Sequence, residues 1–73
     1  MDYNVNANMP GLVARVVVNE GDKVASGQEV AVINCMKTEI KVNTDKDGVV
    51  KNILVKEWDE MQVGDPMIVL DVE

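Results

Sequence analysis

The chain has 73 residues, a formal net charge of −6 and 47% apolar residues, and this length makes one small domain over residues 1–73. The absence of a basic run argues against nucleic acid as a partner. No stretch reaches the roughly 18–20 apolar residues that are needed to span a membrane. The absence of histidine removes the commonest general base, so the composition argues against a self-sufficient enzyme.

The predicted elements are about eight short β-strands, because no window of the sequence keeps apolar residues at helical spacing for three turns. Val-rich runs of strand length begin at Gly11 and Gly48, and turns that contain Gly or Asp separate the runs. In chain order, strands are expected at residues 3–7, 11–18, near 24, 30–34, 39–43, 48–55, near 61 and 67–71.

The second half of the chain repeats the first at a distance of 37 positions. Residues 5–36 superpose on residues 42–73 with nine identical pairs out of 32. Two copies are too few for a solenoid, so the repeat predicts a closed body of two similar halves related by a pseudo-two-fold axis. The expected fold class is all-β, a flattened barrel or sandwich of two antiparallel sheets. Interrupted alternation at 14–15 and 51–52 predicts a β-bulge in each half.

The repeat ends at Met36, and Lys37 at the centre of the chain has no counterpart. In the second half, the two chain ends occupy the equivalent place. The pseudo-symmetry therefore predicts a tight hairpin at residues 35–38, at the opposite pole from the termini, with Lys37 exposed at its tip. Met36-Lys37 is an unusual turn sequence, because tight hairpins need positive φ at both central residues, and it is expected to cost about 1–2 kcal/mol.

Other candidate residues have ordinary structural explanations. Cys35 aligns with Val72, so its side chain is expected to face the core, and a lone cysteine permits no internal disulfide and fits a cytoplasmic setting. Asp22 and Asp59 recur at equivalent positions and are interpreted as turn residues rather than as a catalytic pair. Exposed lysines are common on protein surfaces, so residue chemistry alone makes Lys37 only a candidate site.

The segment Cys35–Glu39, which reads Cys-Met-Lys-Thr-Glu, resembles the biotin-attachment motif of the biotinyl/lipoyl attachment domain family, in its biotin carboxyl carrier type. Biotin-accepting members typically have Ala-Met-Lys-Met, followed by Glu, at the centre of two quasi-repeats. The resemblance extends over nearly the whole chain, through Met9-Pro10-Gly11, residues 20–24 and the Asp-Gly pair at 47–48.

This resemblance implies two four-stranded antiparallel sheets and a biotin that is amide-linked to Lys37. It also implies that the biotin protein ligase recognises the residues around the tip, namely Cys35, Met36, Thr38 and Glu39. The implied function is a non-catalytic carrier domain that moves a carboxyl group between the active sites of a biotin-dependent carboxylase, decarboxylase or transcarboxylase. Its partners would be biotin carboxylase and carboxyltransferase or decarboxylase subunits.

Two alternatives stay open at this point. Lipoyl domains share the implied fold but usually have Asp-Lys-Ala at the tip, and Met36 in the place of that Asp favours biotin over a lipoyl carrier. The chain departs from the family pattern at Asn34, Cys35 and Thr38, where Glu, Ala or Ser, and Met are usual. The departures at Asn34 and Thr38 leave an unmodified structural or interaction module as the second alternative.

Trp58 stands where the first half of the chain has Gly21. If this turn needs positive φ, a bulky residue costs about 1–2 kcal/mol there, whereas glycine adopts the conformation freely. Burial of the indole against neighbouring apolar side chains could offset that cost, so Trp58 is expected to be mostly buried in its own domain. The alternative is a docking contact for a partner subunit, because tryptophan is enriched at interface hot spots.

Overall fold

The computed structural model describes all residues from Met1 to Glu73 as eight strands without a helix. The strands are β1 (Asp2–Asn6), β2 (Gly11–Val16), β3 (Lys23–Val24), β4 (Glu29–Cys35), β5 (Thr38–Asn43), β6 (Gly48–Ile53), β7 (Glu60–Met61) and β8 (Pro66–Asp71). No element is a helix of the length and apolarity that a bilayer span requires.

Two four-stranded antiparallel sheets make up the fold, as predicted. The terminal sheet has the strand order β1-β8-β6-β3 and contains both chain ends, and the hairpin sheet has the order β5-β4-β2-β7. A shift of 37 residues relates β1 to β5, β2 to β6, β3 to β7 and β4 to β8. Replacing each strand by its equivalent converts one strand order into the other. The predicted pseudo-two-fold relation is therefore confirmed.

The chain ends take the place in the terminal sheet that the central hairpin takes in the hairpin sheet. The Val72 amide donates to the Met1 carbonyl over 2.8 Å, at the position equivalent to the Cys35–Thr38 pair. The Met1 ammonium also lies 3.2 Å from an Asp71 carboxylate oxygen. These contacts tie the termini together and confirm their predicted equivalence to the hairpin.

A β-bulge interrupts the central strand pairing in each half of the molecule. The register of β2 against β4 shifts between Val13 and Arg15, and that of β6 against β8 shifts between Val50 and Asn52. Both bulges lie where the sequence predicts them. Residues 17–18 and 54–55, which were expected to continue these strands, lie outside them.

The two sheets enclose a core that consists almost entirely of aliphatic side chains. Fourteen buried residues form one cluster, and the largest fully buried members include Ile33, Met67, Ile68 and Leu70. No aromatic residue is buried in it. Ile33 lies on β4, two residues before the strand ends, so the core directly anchors the base of the central hairpin.

Asp22 and Asp59 have the same structural role, as the repeat predicts. The Asp22 carboxylate accepts a hydrogen bond from the Asn19 amide over 2.8 Å, and the Asp59 carboxylate accepts one from the Lys56 amide over 3.0 Å. Each carboxylate thus closes its own turn by bonding a backbone amide three residues earlier. The two residues cap equivalent turns and do not form a catalytic pair.

The expected burial of Trp58 is wrong, because its side chain is 66% exposed. Trp58 has a φ of 72° and Gly21 a φ of 92°, so both turns use the left-handed backbone. The Trp58 amide donates to the Val13 carbonyl and the Gly21 amide to the Val50 carbonyl, each over 2.8 Å. The backbone of the turn is therefore fixed by the repeat, and it directs the indole outward instead of over the core.

Replacement of Trp58 by glycine is expected to change the free energy of unfolding by less than about 1 kcal/mol. Relief of the left-handed strain is worth about 1–2 kcal/mol, and loss of the small buried part of the indole offsets most of this gain. Urea denaturation followed by circular dichroism measures the difference between the two proteins. A loss of 2 kcal/mol or more in Trp58→Gly would show that the indole packs on the domain in solution.

Candidate modification site

The central hairpin joins β4 to β5 through a loop of only two residues, Met36 and Lys37. Cys35 and Thr38 form the last pair of the ladder, and the two loop residues have φ values of 51° and 67°. Positive φ at both central residues of a two-residue loop is the pattern of a type I′ turn. The predicted tight hairpin is confirmed, including its unfavourable backbone at two residues that are not glycine.

The tip of this hairpin projects into solvent. Met36 is 92% exposed, and Lys37 is also exposed. The four ion pairs of the structure do not include Lys37, and no hydrogen bond reaches its amine. The strained left-handed turn therefore places an unpaired primary amine and an apolar side chain at one end of the domain.

Cys35 meets the expectation of a core position only in part, because it is half-buried. It is the last residue of β4, and the turn carries the chain away from the core directly after it. Thr38, its partner across the ladder, is exposed. Both residues flank the amine of Lys37 at the same end of the domain, where an approaching protein can reach them.

Glu39 is held by an arginine that the sequence reasoning did not identify. Two nitrogens of the Arg15 guanidinium donate to the two Glu39 carboxylate oxygens, each over 3.1 Å, so β2 is linked to β5 across the intervening β4. These hydrogen bonds, and then the positive charge of Arg15, lower the pKa of Glu39 below its ordinary value. Glu39 therefore braces the base of the hairpin.

The other half of the molecule contains a similar ion pair. Glu39 aligns with Asp2, and Asp2 accepts from the Lys51 amine over 3.0 Å in the terminal sheet. Lys51 lies in the bulge that corresponds to the bulge before Arg15. Each half thus pairs a cation near its bulge with an acid at the start of its edge strand.

Replacement of Arg15 by glutamine is expected to raise the pKa of Glu39 toward its ordinary value. The carboxylate loses both charge-assisted hydrogen bonds and the neighbouring positive charge, which are the two causes of its lowered pKa. In the unaltered chain, the stabilisation from this pair is expected at neutral pH and is lost as the pH falls below 4.5. A carbon-13 NMR titration of the Glu39 carboxyl measures the change. Lys51→Gln is the matched control, and an equal rise in that variant would contradict the local explanation.

A shallow depression lies beside the hairpin, lined in part by Gly11, Leu12, Cys35 and Met36. An equivalent depression lies at the chain ends, lined in part by Gly48 and Val72 in the corresponding positions. Because the two depressions are related by the repeat, they follow from the fold and are not specific to the pole that carries Lys37. The distinctive feature of this pole is the projecting tip.

A family model described as "Biotin-requiring enzyme" matches residues 4–70, which is nearly the whole chain. The chain belongs to the biotinyl/lipoyl attachment domain family. The projecting lysine therefore occupies the centre of a biotinyl/lipoyl attachment domain, in agreement with the resemblance of the tip sequence to the biotin carboxyl carrier type.

Similar proteins contain this domain as a small part of a much longer chain. The 2-oxoglutarate carboxylase large subunit of Hydrogenobacter thermophilus is 50% identical over 40 residues, which are 55% of this chain and 6% of that protein. The crystal structure of Kluyveromyces lactis urea carboxylase matches 97% of this chain and 6% of its own, with a TM-score of 0.90 and 32% identity.

A single-chain, multi-domain long-chain acyl-CoA carboxylase shows the same fold. It matches 99% of this chain and 7% of its own, with a TM-score of 0.89 and 22% identity. The chain thus spans less than a tenth of the length of each of these proteins.

Proposed function

We propose that Lys37 carries biotin in amide linkage and moves a biotin-bound carboxyl group between the active sites of a biotin-dependent carboxylase, decarboxylase or transcarboxylase. The observation that supports this most directly is the position of Lys37. It is an exposed and unpaired lysine at the tip of a strained two-residue turn, in the one place where the two halves of an attachment domain differ in connectivity. Met36 beside it favours biotin over lipoate.

The biotin protein ligase would supply the chemistry of attachment. The Lys37 nitrogen attacks the acyl carbon of an activated biotinyl-adenylate, an amide bond forms, AMP leaves and the amine gives up a proton. No side chain of this chain hydrogen-bonds the amine, so the chain itself offers no base for that proton. The ligase must therefore supply both the base and the activated acyl group.

After attachment, the domain would act as a carrier without chemistry of its own. The biotin ring accepts a carboxyl group at a biotin carboxylase site and releases it at a carboxyltransferase or decarboxylase site. Tethering raises the effective concentration of the ring at both sites, and the tight hairpin gives the tether a stiff base. The proteins named above are all carboxylases, which supports partners of this kind. A cytoplasmic setting fits the single unpaired cysteine.

Intact-mass measurement after incubation with biotin protein ligase, ATP and biotin tests the proposal. The expected result is the addition of one biotinyl group, followed by its carboxylation when biotin carboxylase, ATP and bicarbonate are added. A parallel incubation with lipoate ligase, ATP and lipoate is expected to leave the mass unchanged. Addition of lipoyl alone, or of neither group, would reject the biotin carrier.

Replacement of Thr38 by methionine is expected to increase the initial rate of biotinylation without altering the fold. Thr38 is exposed and β-branched beside the target lysine, whereas biotin-accepting members of the family usually have the unbranched methionine there. Initial rates with the host ligase measure the effect. Thr38→Val is the matched control, since it keeps the branch and is expected to stay slow. A faster unaltered chain would show that its ligase is adapted to threonine.

A further inference from the structure

The repeat provides an internal comparison for every exposed apolar residue. Val17 and Leu54 are 44% and 50% exposed at equivalent positions, so their exposure belongs to the fold. Trp58 and Val63 are both 66% exposed, but their counterparts in the first half are glycine and serine. The second half therefore presents two large apolar side chains at positions where the same fold does not need them.

The backbone at Trp58 makes its presence more unusual. The residue has the left-handed φ that its glycine counterpart adopts freely, and two-thirds of its side chain remains in contact with solvent. Neither the geometry of the turn nor the packing of the core therefore explains a tryptophan here. Tryptophan is enriched among the residues that contribute most of the binding energy at protein interfaces.

Trp58 and Val63 lie on either side of β7, at the edge of the hairpin sheet. β7 pairs with β2 on one side only, so its other edge is free. On β2, Leu12 pairs with Glu60 of β7 on one side and with Asn34 of β4 on the other. Asn34 is one residue before the end of β4, the strand that leads into the hairpin. A protein that contacts this edge would hold the sheet that presents Lys37.

The charge around Trp58 indicates the chemistry of the occupant. Trp58 lies between Glu57 and Asp59, with Glu60 and Lys56 two residues away, so one positive and three negative side chains surround it in sequence, and the chain has a net charge of −6. A site that carboxylates biotin has to bind bicarbonate, an anion, so its entrance is expected to be positively charged. A basic surface with an apolar pocket is complementary to an exposed indole that is flanked by carboxylates.

We propose that the β7 edge, formed by Glu57, Trp58, Glu60 and Val63, docks the biotin carboxylase component of the parent enzyme. Trp58 enters an apolar pocket bordered by lysine or arginine side chains, and Val63 packs at the rim. This proposal rests on the carrier function proposed above. It adds a surface that is distinct from the tip residues that the ligase recognises.

Fluorine NMR tests the docking independently of biotin. Trp58 is the only tryptophan, so a chain labelled with 5-fluorotryptophan and altered by Lys37→Arg gives one indole resonance and cannot be biotinylated at position 37. Titration with the unlabelled, purified biotin carboxylase component is expected to shift and broaden this resonance saturably, and less so at high salt. An unchanged resonance overturns the proposal. A shift with the ligase alone, or with the concentration of the chain itself, also overturns it and assigns the edge to another occupant.

Carboxylation kinetics provide the second measurement. For the biotinylated chain, Trp58→Gly is expected to lower kcat/KM for carboxylation about tenfold, mostly through KM, and Val63→Ser by a smaller factor. Val17→Ser removes an exposed apolar side chain that the repeat explains, and it is expected to change nothing. Equal kcat/KM values for Trp58→Gly and the unaltered chain overturn the proposal. Absence of biotin on Lys37 would reject the carrier function, while the fluorine experiment would still report on docking.

Discussion

The Lys37→Arg variant is expected to incorporate no biotin, a loss of at least about 100-fold in the rate of labelling. Arginine preserves the positive charge and the length of the side chain at the tip, so the fold and the surface potential should be unchanged. The guanidinium stays protonated at all accessible pH values and cannot act as the nucleophile that forms the amide. Incubation with ligase, ATP and biotin, followed by intact-mass measurement, gives the result.

The other five lysines provide the control for this experiment. Lys46 is exposed in the loop between β5 and β6, so it is also accessible in a turn. Lys46→Arg is expected to be labelled as fast as the unaltered chain. Full labelling of Lys37→Arg, or biotin mapped by peptide sequencing to a lysine other than Lys37, would disprove the assignment of the acceptor.

Most of the fold could be predicted because the two halves of the sequence can be aligned with each other. The 37-residue repeat fixes which strands are equivalent, places a bulge in each half and leaves Lys37 without a counterpart. The same logic predicts positive φ at Met36 and Lys37, since a two-residue connection between antiparallel strands requires it. These features depend on chain connectivity and backbone geometry, which a repeat records directly.

The features that were missed depend on where individual side chains go after the backbone is fixed. Trp58 adopts the left-handed backbone of its counterpart Gly21, and the direction of its indole follows from the orientation of that turn relative to β2. The Arg15–Glu39 ion pair joins two strands that are not neighbours in the sheet, so no short sequence pattern predicts it. Long-range contacts between exposed side chains leave little trace in hydrophobic periodicity.

Contacts at the base of the central hairpin explain how its strained turn keeps one conformation. Its base is fixed by the buried Ile33 side chain and the ladder up to Cys35–Thr38, and the Arg15–Glu39 pair braces it from a third strand. Strained turns persist where the surroundings determine their conformation. The strained backbone of the tip is thus held by contacts that begin at the adjacent Cys35–Thr38 pair.

The second large effect is expected at Gly11, where β2 passes close to the end of β4. A Cβ atom at this position would lie 2.9 Å from Ile33 Cγ2 and closer still to the Asn34 carbonyl oxygen, and the residue has a φ of 151°. Gly11→Ala therefore combines backbone strain with crowding of a neighbouring backbone. It is expected to lower the free energy of unfolding by about 2–4 kcal/mol, as measured by urea denaturation.

Two other glycines separate the causes of this effect. Gly21 has a φ of 92° with no atom within 4 Å of a Cβ, so Gly21→Ala should cost only the strain of about 1–2 kcal/mol.

Gly48 is equivalent to Gly11, and its Cβ would lie 2.7 Å from the Asp71 carbonyl oxygen at the chain ends. Gly48→Ala should lower stability but leave the rate of biotinylation of the folded protein unchanged. Gly11→Ala should slow biotinylation as well, because Asn34 must move and carries the base of the hairpin with it. Equal biotinylation rates for the two variants, under conditions where both are folded, would show that the tip is positioned independently of this contact.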